Sequence, residues 1–122
     1  MPRDDFSAKT IEILAKRVRY KCSNPNCSRI TVGPKEGRAD AAMNVGIAAH
    51  ITAASPGGPR YCASMTTNER SSIDNGIWLC SNCSAMIDKD KKKYTVDLLH
   101  EWKRQAEKNA SDEITGVISS LK

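Results

Sequence analysis

Hydrophobic positions recur along the chain with two periods and, between them, lapse into polar stretches. Over residues 7 to 20, Ile11, Leu14, Ala15 and Val18 fall on one helical face, with Lys9, Lys16, Arg17 and Arg19 on the rest. Ser7 precedes this run as an N-cap, so the spacing predicts an amphipathic helix. KCSNPNCSR follows, its Asn-Pro-Asn forcing a tight turn, and residues 31 to 44 show no periodicity and predict an irregular loop. VGIAAHI, 45 to 51, reads as a short apolar strand. Residues 52 to 72 are rich in Gly, Pro, Ser and Thr and predict a long, at most partly helical loop, of the kind that carries function. IDNGIWLC, 73 to 80, supplies a turn and a second strand, and a short helix is expected from Ser81 to Asp88, ending at DKDKKK. A last helix starts at Thr95 as N-cap and buries Leu98, Leu99, Trp102 and Ala106.

Helical spacing continues in the final residues at Ile114, Val117, Ile118 and Leu121. The expected organisation is one domain over 1–110, with its core at about 18–102, and a tail or linker over 111–122. Such an apolar tail docks on the body, forms a homodimer, or leads into a further domain.

Composition adds a constraint. A 122-residue chain hides only about two-thirds of its extended surface on folding, and aromatics make up just 5% of this one. The apolar core is therefore thin, and a bound metal is the obvious reinforcement. The net charge of +5 and pI near 9.0 suit a phosphate-bearing partner, although many proteins reach that charge without one. No run approaches the roughly 18 apolar residues a membrane span needs, and the N-terminus has no signal-peptide core, so a cytoplasmic chain is expected. In a reducing compartment, paired cysteines hold metal more readily than they form disulfides.

The cysteines sharpen this. Cys22 and Cys27 bracket four residues, Cys80 and Cys83 bracket two, and about fifty residues separate the pairs. Each pair places two thiolates on one turn, and tetrahedral zinc takes two such pairs facing each other. Zn2+ held by Cys22, Cys27, Cys80 and Cys83 would contribute on the order of 10 kcal/mol to folding. Four thiolates close its coordination sphere, which makes it structural. Cys62 stands alone and reads as an idle thiol, and His100, among Glu101 and Lys103 on the last helix, reads as solvent-exposed.

Between the pairs, His50 ends a strand and Asn75 lies five residues before Cys80, where the last predicted short helix begins. In NVGIAAHITAASPGGPRY and NGIWLCSNCSAMIDKDKKKYTVDLLHEW the chain resembles the HNH endonucleases, most closely the HNH domains of bacterial antiphage defence proteins. Some of those proteins carry a fused or associated cyclic-nucleotide sensor domain. The resemblance implies an α+β fold with a ββα-metal (HNH, His-Me finger) core, a four-cysteine structural zinc and flanking helices. It implies a metal-dependent endonuclease cutting DNA in defence or restriction. His50 would be the general base, a role an imidazole with an unperturbed pKa of about 6.5 suits. Asn75 would hold the histidine-bearing strand and loop in register, and Asp88 would bind a catalytic Mg2+ or Mn2+.

Two positions depart from the family pattern. Ala49 stands where many members have a metal ligand before the base, and Ser84 stands where a histidine usually follows the last zinc cysteine. Asp88, four residues beyond Ser84 on the same helix face, is the remaining metal ligand. A rival reading is thus a zinc-stabilised DNA-binding module with impaired catalysis. Around the expected cleft the basic residues are Lys16, Arg17, Arg19 and Lys21, then Arg60 and Arg70, then Lys89, Lys91, Lys92 and Lys93. Arg60, Arg70 and Lys91 are the expected phosphate contacts, with Arg60 foremost because Pro-Gly-Gly lets it approach closely.

Overall fold

The computed structural model describes residues 4–116 and is a mixed α+β fold with two small sheets. Helix α1 spans Ala8–Arg17, with Ser7 capping it by accepting from Thr10 N–H. It stops short of residue 20 because Arg19 and Tyr20 both take positive φ, 57° and 59°, which turns the chain sharply into the first cysteine loop. Of the predicted apolar face, Leu14, Ala15 and Val18 are buried, whereas Ile11 stays 38% exposed.

The 31–44 stretch is not irregular. It holds an antiparallel hairpin, β1 (Val32–Pro34) with β2 (Ala42–Asn44), turned at Gly37 with φ 83°. Strands of three residues are too short for alternation to reveal.

Strand β3 (Gly46–His50) pairs antiparallel with β4 (Gly76–Cys80), in a register that sets Gly46 opposite Cys80 and His50 opposite Gly76. The connection between them contains the four-residue helix α2 (Thr67–Arg70), closed by a Thr66/Glu69 capping box, and a 3-10 turn at Ile73–Asn75. Helix α3 (Ser81–Lys89) follows β4 directly, and α4 (Val96–Ile114) begins after Thr95, whose side chain accepts from Leu98 N–H. Helix α4 is continuous to Ile114. Val117, Ile118 and Leu121 lie outside the described residues.

Every residue of β4 is buried, since both faces of the ribbon are covered. Ile77 and Leu79 face Ile51, Ile87, Leu99 and Trp102 beneath α3 and α4, while Trp78 faces Ala15 of α1 and its C-cap Val18. That double burial explains the unbroken apolar run Ile77–Cys80. Gly46 is required here: a Cβ would sit 2.0 Å from the Trp78 ring. Among the described residues no helix is long and apolar enough to cross a membrane.

Candidate functional site

The four predicted cysteines converge. Cys22 and Cys27 lie on the loop after α1; Cys80 ends β4 and caps α3, its Sγ accepting from Cys83 N–H at 3.4 Å. The first loop is shaped by Asn24, whose carbonyl accepts from Cys27 and Ser28 and whose Oδ1 accepts from Asn26 N–H. Asn24 Nδ2 also donates to Cys83 Sγ at 3.5 Å, joining the two loops. All four sulfurs lie within 4.8 Å of one another, with Cys27 and Cys80 at 3.9 Å. A tetrahedron with Zn–S bonds of 2.3 Å has edges of about 3.8 Å, so the cluster could hold a metal ion and is compatible with structural zinc.

Burial pushes the Cys22 and Cys83 thiols above their ordinary range. At Cys80 burial acts in the same sense, but hydrogen bonds from Cys83 and its neighbours outweigh it and the thiol ends lower. Metal binding at this centre must therefore displace protons from at least two thiols, which weakens it in acid.

A second feature is a cleft of about 190 Å3 between β3, the loop after it and α3, lined by His50, Ala49, Ser55, Pro59, Ser84 and Asp88. It brings together His50 and Asp88, 38 positions apart in the chain. The His50 ring stacks on Phe6 at 3.9 Å, tilted by 9°. Its Nε2 lies 2.9 Å from the Asp4 carbonyl. A carbonyl only accepts, so Nε2 carries the hydrogen.

Asn75 is buried behind His50. Its Oδ1 accepts from Thr52 N–H at 3.0 Å, and its Nδ2 donates to the carbonyls of Thr52 and Arg70, each at 2.9 Å. Its own carbonyl accepts from Ile51 N–H. The side chain thus clamps the segment that immediately follows His50.

Several of the basic residues are engaged within the fold. Arg60, expected to reach for phosphate, is 5% exposed and turned inward. Its Nε donates to Ile51 O at 2.6 Å, Nη1 to Ile87 O at 2.9 Å and Tyr94 O at 3.4 Å, and Nη2 to Asp88 Oδ1 at 3.0 Å. Orphan carbonyls at the end of α3 and in the following turn draw it in. Arg70 is likewise engaged: it pairs with Asp4 at 3.3 Å, donates to the carbonyls of Cys62 and Ala63, and lies 4.7 Å over the Tyr61 ring. Lys16, Arg17 and Arg19 are ion-paired with Glu12, Glu107 and Glu113. Lys91 is exposed in the turn just beyond Asp88, with Lys89, Lys92 and Lys93 beside it.

Asp4 and Phe6 escaped the sequence reading. They form the wall behind His50, held by Asp4 N–H to Ala54 O and by Arg70, and a contact made across 46 positions leaves no local signature. Cys62 donates to or accepts from Ser64 Oγ at 3.1 Å, an interaction that lowers its thiol pKa, and His100 is exposed as expected. Set against known proteins, the chain matches no family model, and no curated protein matches it significantly.

Proposed function

We propose that the protein is an HNH-type endonuclease that hydrolyses phosphodiester bonds of DNA in the cleft between β3 and α3. The observation that carries this reading is the shared cleft of His50 and Asp88, presented by two antiparallel strands and the helix that follows them. That order is what a ββα-metal core requires. In the reaction, His50 takes a proton from a water, the water oxygen attacks phosphorus, the P–O bond to the leaving sugar oxygen breaks, and that oxygen takes up a proton from solvent. Phe6 and the Asp4 carbonyl fix the ring and its tautomer, and Asn75 fixes the backbone beneath it. Lys91 and its neighbours meet the flanking phosphates.

The donor set at the cleft is sparse: one carboxylate, Asp88, one hydroxyl, Ser84, and nothing from Ala49. Magnesium and manganese accept such a set, taking one or two carboxylates and filling the rest with waters and phosphate oxygens. Asp88 would hold the ion, which would supply positive charge at the scissile phosphate. A defence or restriction role rests on the resemblance of the chain to antiphage HNH domains.

A second reading, a DNA-binding module without cutting, is favoured by Arg60 already pairing with Asp88. Supercoiled plasmid incubated with Mg2+, Mn2+ or EDTA separates the two. The enzyme nicks or linearises it with metal, and His50→Ala abolishes this while far-UV CD and zinc content stay unchanged. Retention of DNA with no cutting in any metal establishes the binder.

A further inference from the structure

Arg60 is unlike a phosphate-seeking arginine in two respects. It sits at φ 59°, a left-handed conformation that costs a non-glycine residue stability, and its guanidinium is almost wholly buried. Its Nε and Nη1 are spent on three backbone carbonyls drawn from the end of β3, the end of α3 and the turn before α4. The carbonyls come from three separate elements, so the guanidinium must break several hydrogen bonds to swing away. Its remaining nitrogen, Nη2, is bonded to a single oxygen of Asp88, which lines the cleft and whose side chain is half exposed.

We infer that Arg60 is a resident counter-cation for Asp88, which keeps divalent metal out of the cleft until an anionic ligand arrives. The inference rests on the proposed hydrolytic site and concerns how that site is loaded. A guanidinium 3.0 Å from the one carboxylate lining the cleft offsets its charge and opposes a dication brought to the same carboxylate, because like charges a few ångströms apart repel. A phosphodiester restores the missing negative charge and supplies oxygen ligands, so metal enters together with the nucleic acid. The buried placement of Arg60 fixes the guanidinium by the fold, while Asp88 keeps one side open to solvent.

The test measures Mn2+ bound to the zinc-loaded protein by electron paramagnetic resonance, without nucleic acid. The wild type is expected to bind Mn2+ weakly at the cleft, with Kd above about 1 mM, the weak end of the range for carboxylate sites. Asp88→Ala should change that by less than about twofold, since the carboxylate is already engaged by Arg60. Arg60→Gln should tighten binding by at least about tenfold, and adding Asp88→Ala to it should remove the gain. Tight binding in the wild type that Asp88→Ala abolishes overturns the inference, as does a folded Arg60→Gln protein with unchanged or weaker affinity. Should Arg60→Gln not fold, because three carbonyls lose their donor, the wild type and Asp88→Ala decide the matter alone. Plasmid cutting judges the hydrolytic reading separately: metal exclusion can hold in a protein that never cuts DNA.

Discussion

Truncating Asn75 tests the architecture behind His50. Asn75→Ala removes three hydrogen bonds and strands the N–H and C=O of buried Thr52 together with the Arg70 carbonyl. A net hydrogen bond is worth about 1 kcal/mol, and a buried group left without a partner costs about 1–3 kcal/mol. Some relaxation and water entry are inevitable, so the sum should come to about 3–5 kcal/mol, a large share of the roughly 5–15 kcal/mol that holds a small domain folded. Urea unfolding of the zinc-loaded protein, followed by Trp fluorescence and CD, reads it directly. Asn75→Asp preserves the shape and the Thr52 N–H bond but aims a carboxylate oxygen at two carbonyls. Burial against those carbonyls raises the folded pKa of the introduced carboxyl above its unfolded value. Its deficit is thus smallest below the unfolded pKa and grows as pH rises through the folded one. Loss of less than about 1 kcal/mol in Asn75→Ala, or an Asn75→Asp deficit that does not vary with pH, would refute the clamp.

Further outcomes follow from other parts of the molecule. Chelation of the metal, or Cys83→Ser, should unfold the body, because a structural zinc contributes on the order of 10 kcal/mol; CD with zinc quantified by mass spectrometry checks it. The same centre should release metal on acidification, since burial already favours protonated Cys22 and Cys83. Glu107, paired with Arg17 and Lys103, has its pKa lowered chiefly by the Arg17 hydrogen bonds. Its contribution is present above the ordinary carboxyl pKa and lost as pH falls through the lowered one. Glu107→Gln should cost about 1 kcal/mol at pH 7, allowing for the exposure of Arg17, and nothing once the wild-type carboxyl is protonated. Gly46→Ala should destabilise by about 1–3 kcal/mol through collision with Trp78, seen as a lower urea midpoint and altered indole emission.

What could be read from the chain was whatever depended on near neighbours. The cysteine pairs were legible because each sits on a single turn and thiolate chemistry restricts what two such turns can do. Helices α3 and α4 were legible through their caps and apolar spacing. The β1–β2 hairpin was not, since three residues cannot show a period. The inward turn of Arg60 was not legible, for another reason. A guanidinium in a Gly- and Pro-rich loop serves a phosphate or a set of carbonyls equally well, and only the folded backbone decides which. The environment of His50 was legible in part: its partner Asn75 follows from the resemblance, while Phe6 and Asp4 arrive from the far end of the chain.

The cysteine centre and Asn75 act on opposite ends of one object. In the five-residue ribbon, Gly46 lies opposite Cys80, one of the four clustered cysteines, and His50 lies opposite Gly76, next to Asn75. So short a ladder has few hydrogen bonds to resist slipping, and a shift of one residue would turn every side chain to the other face. Such a slip would bring Trp78 out of the α1 contact and Ile77 and Leu79 out of the main core, and it would carry His50 away from the cleft. Fixing Cys80 at one end and the Thr52 backbone at the other leaves one register. A thin apolar core can then position an imidazole accurately, because two polar anchors do what a larger interior would otherwise have to do.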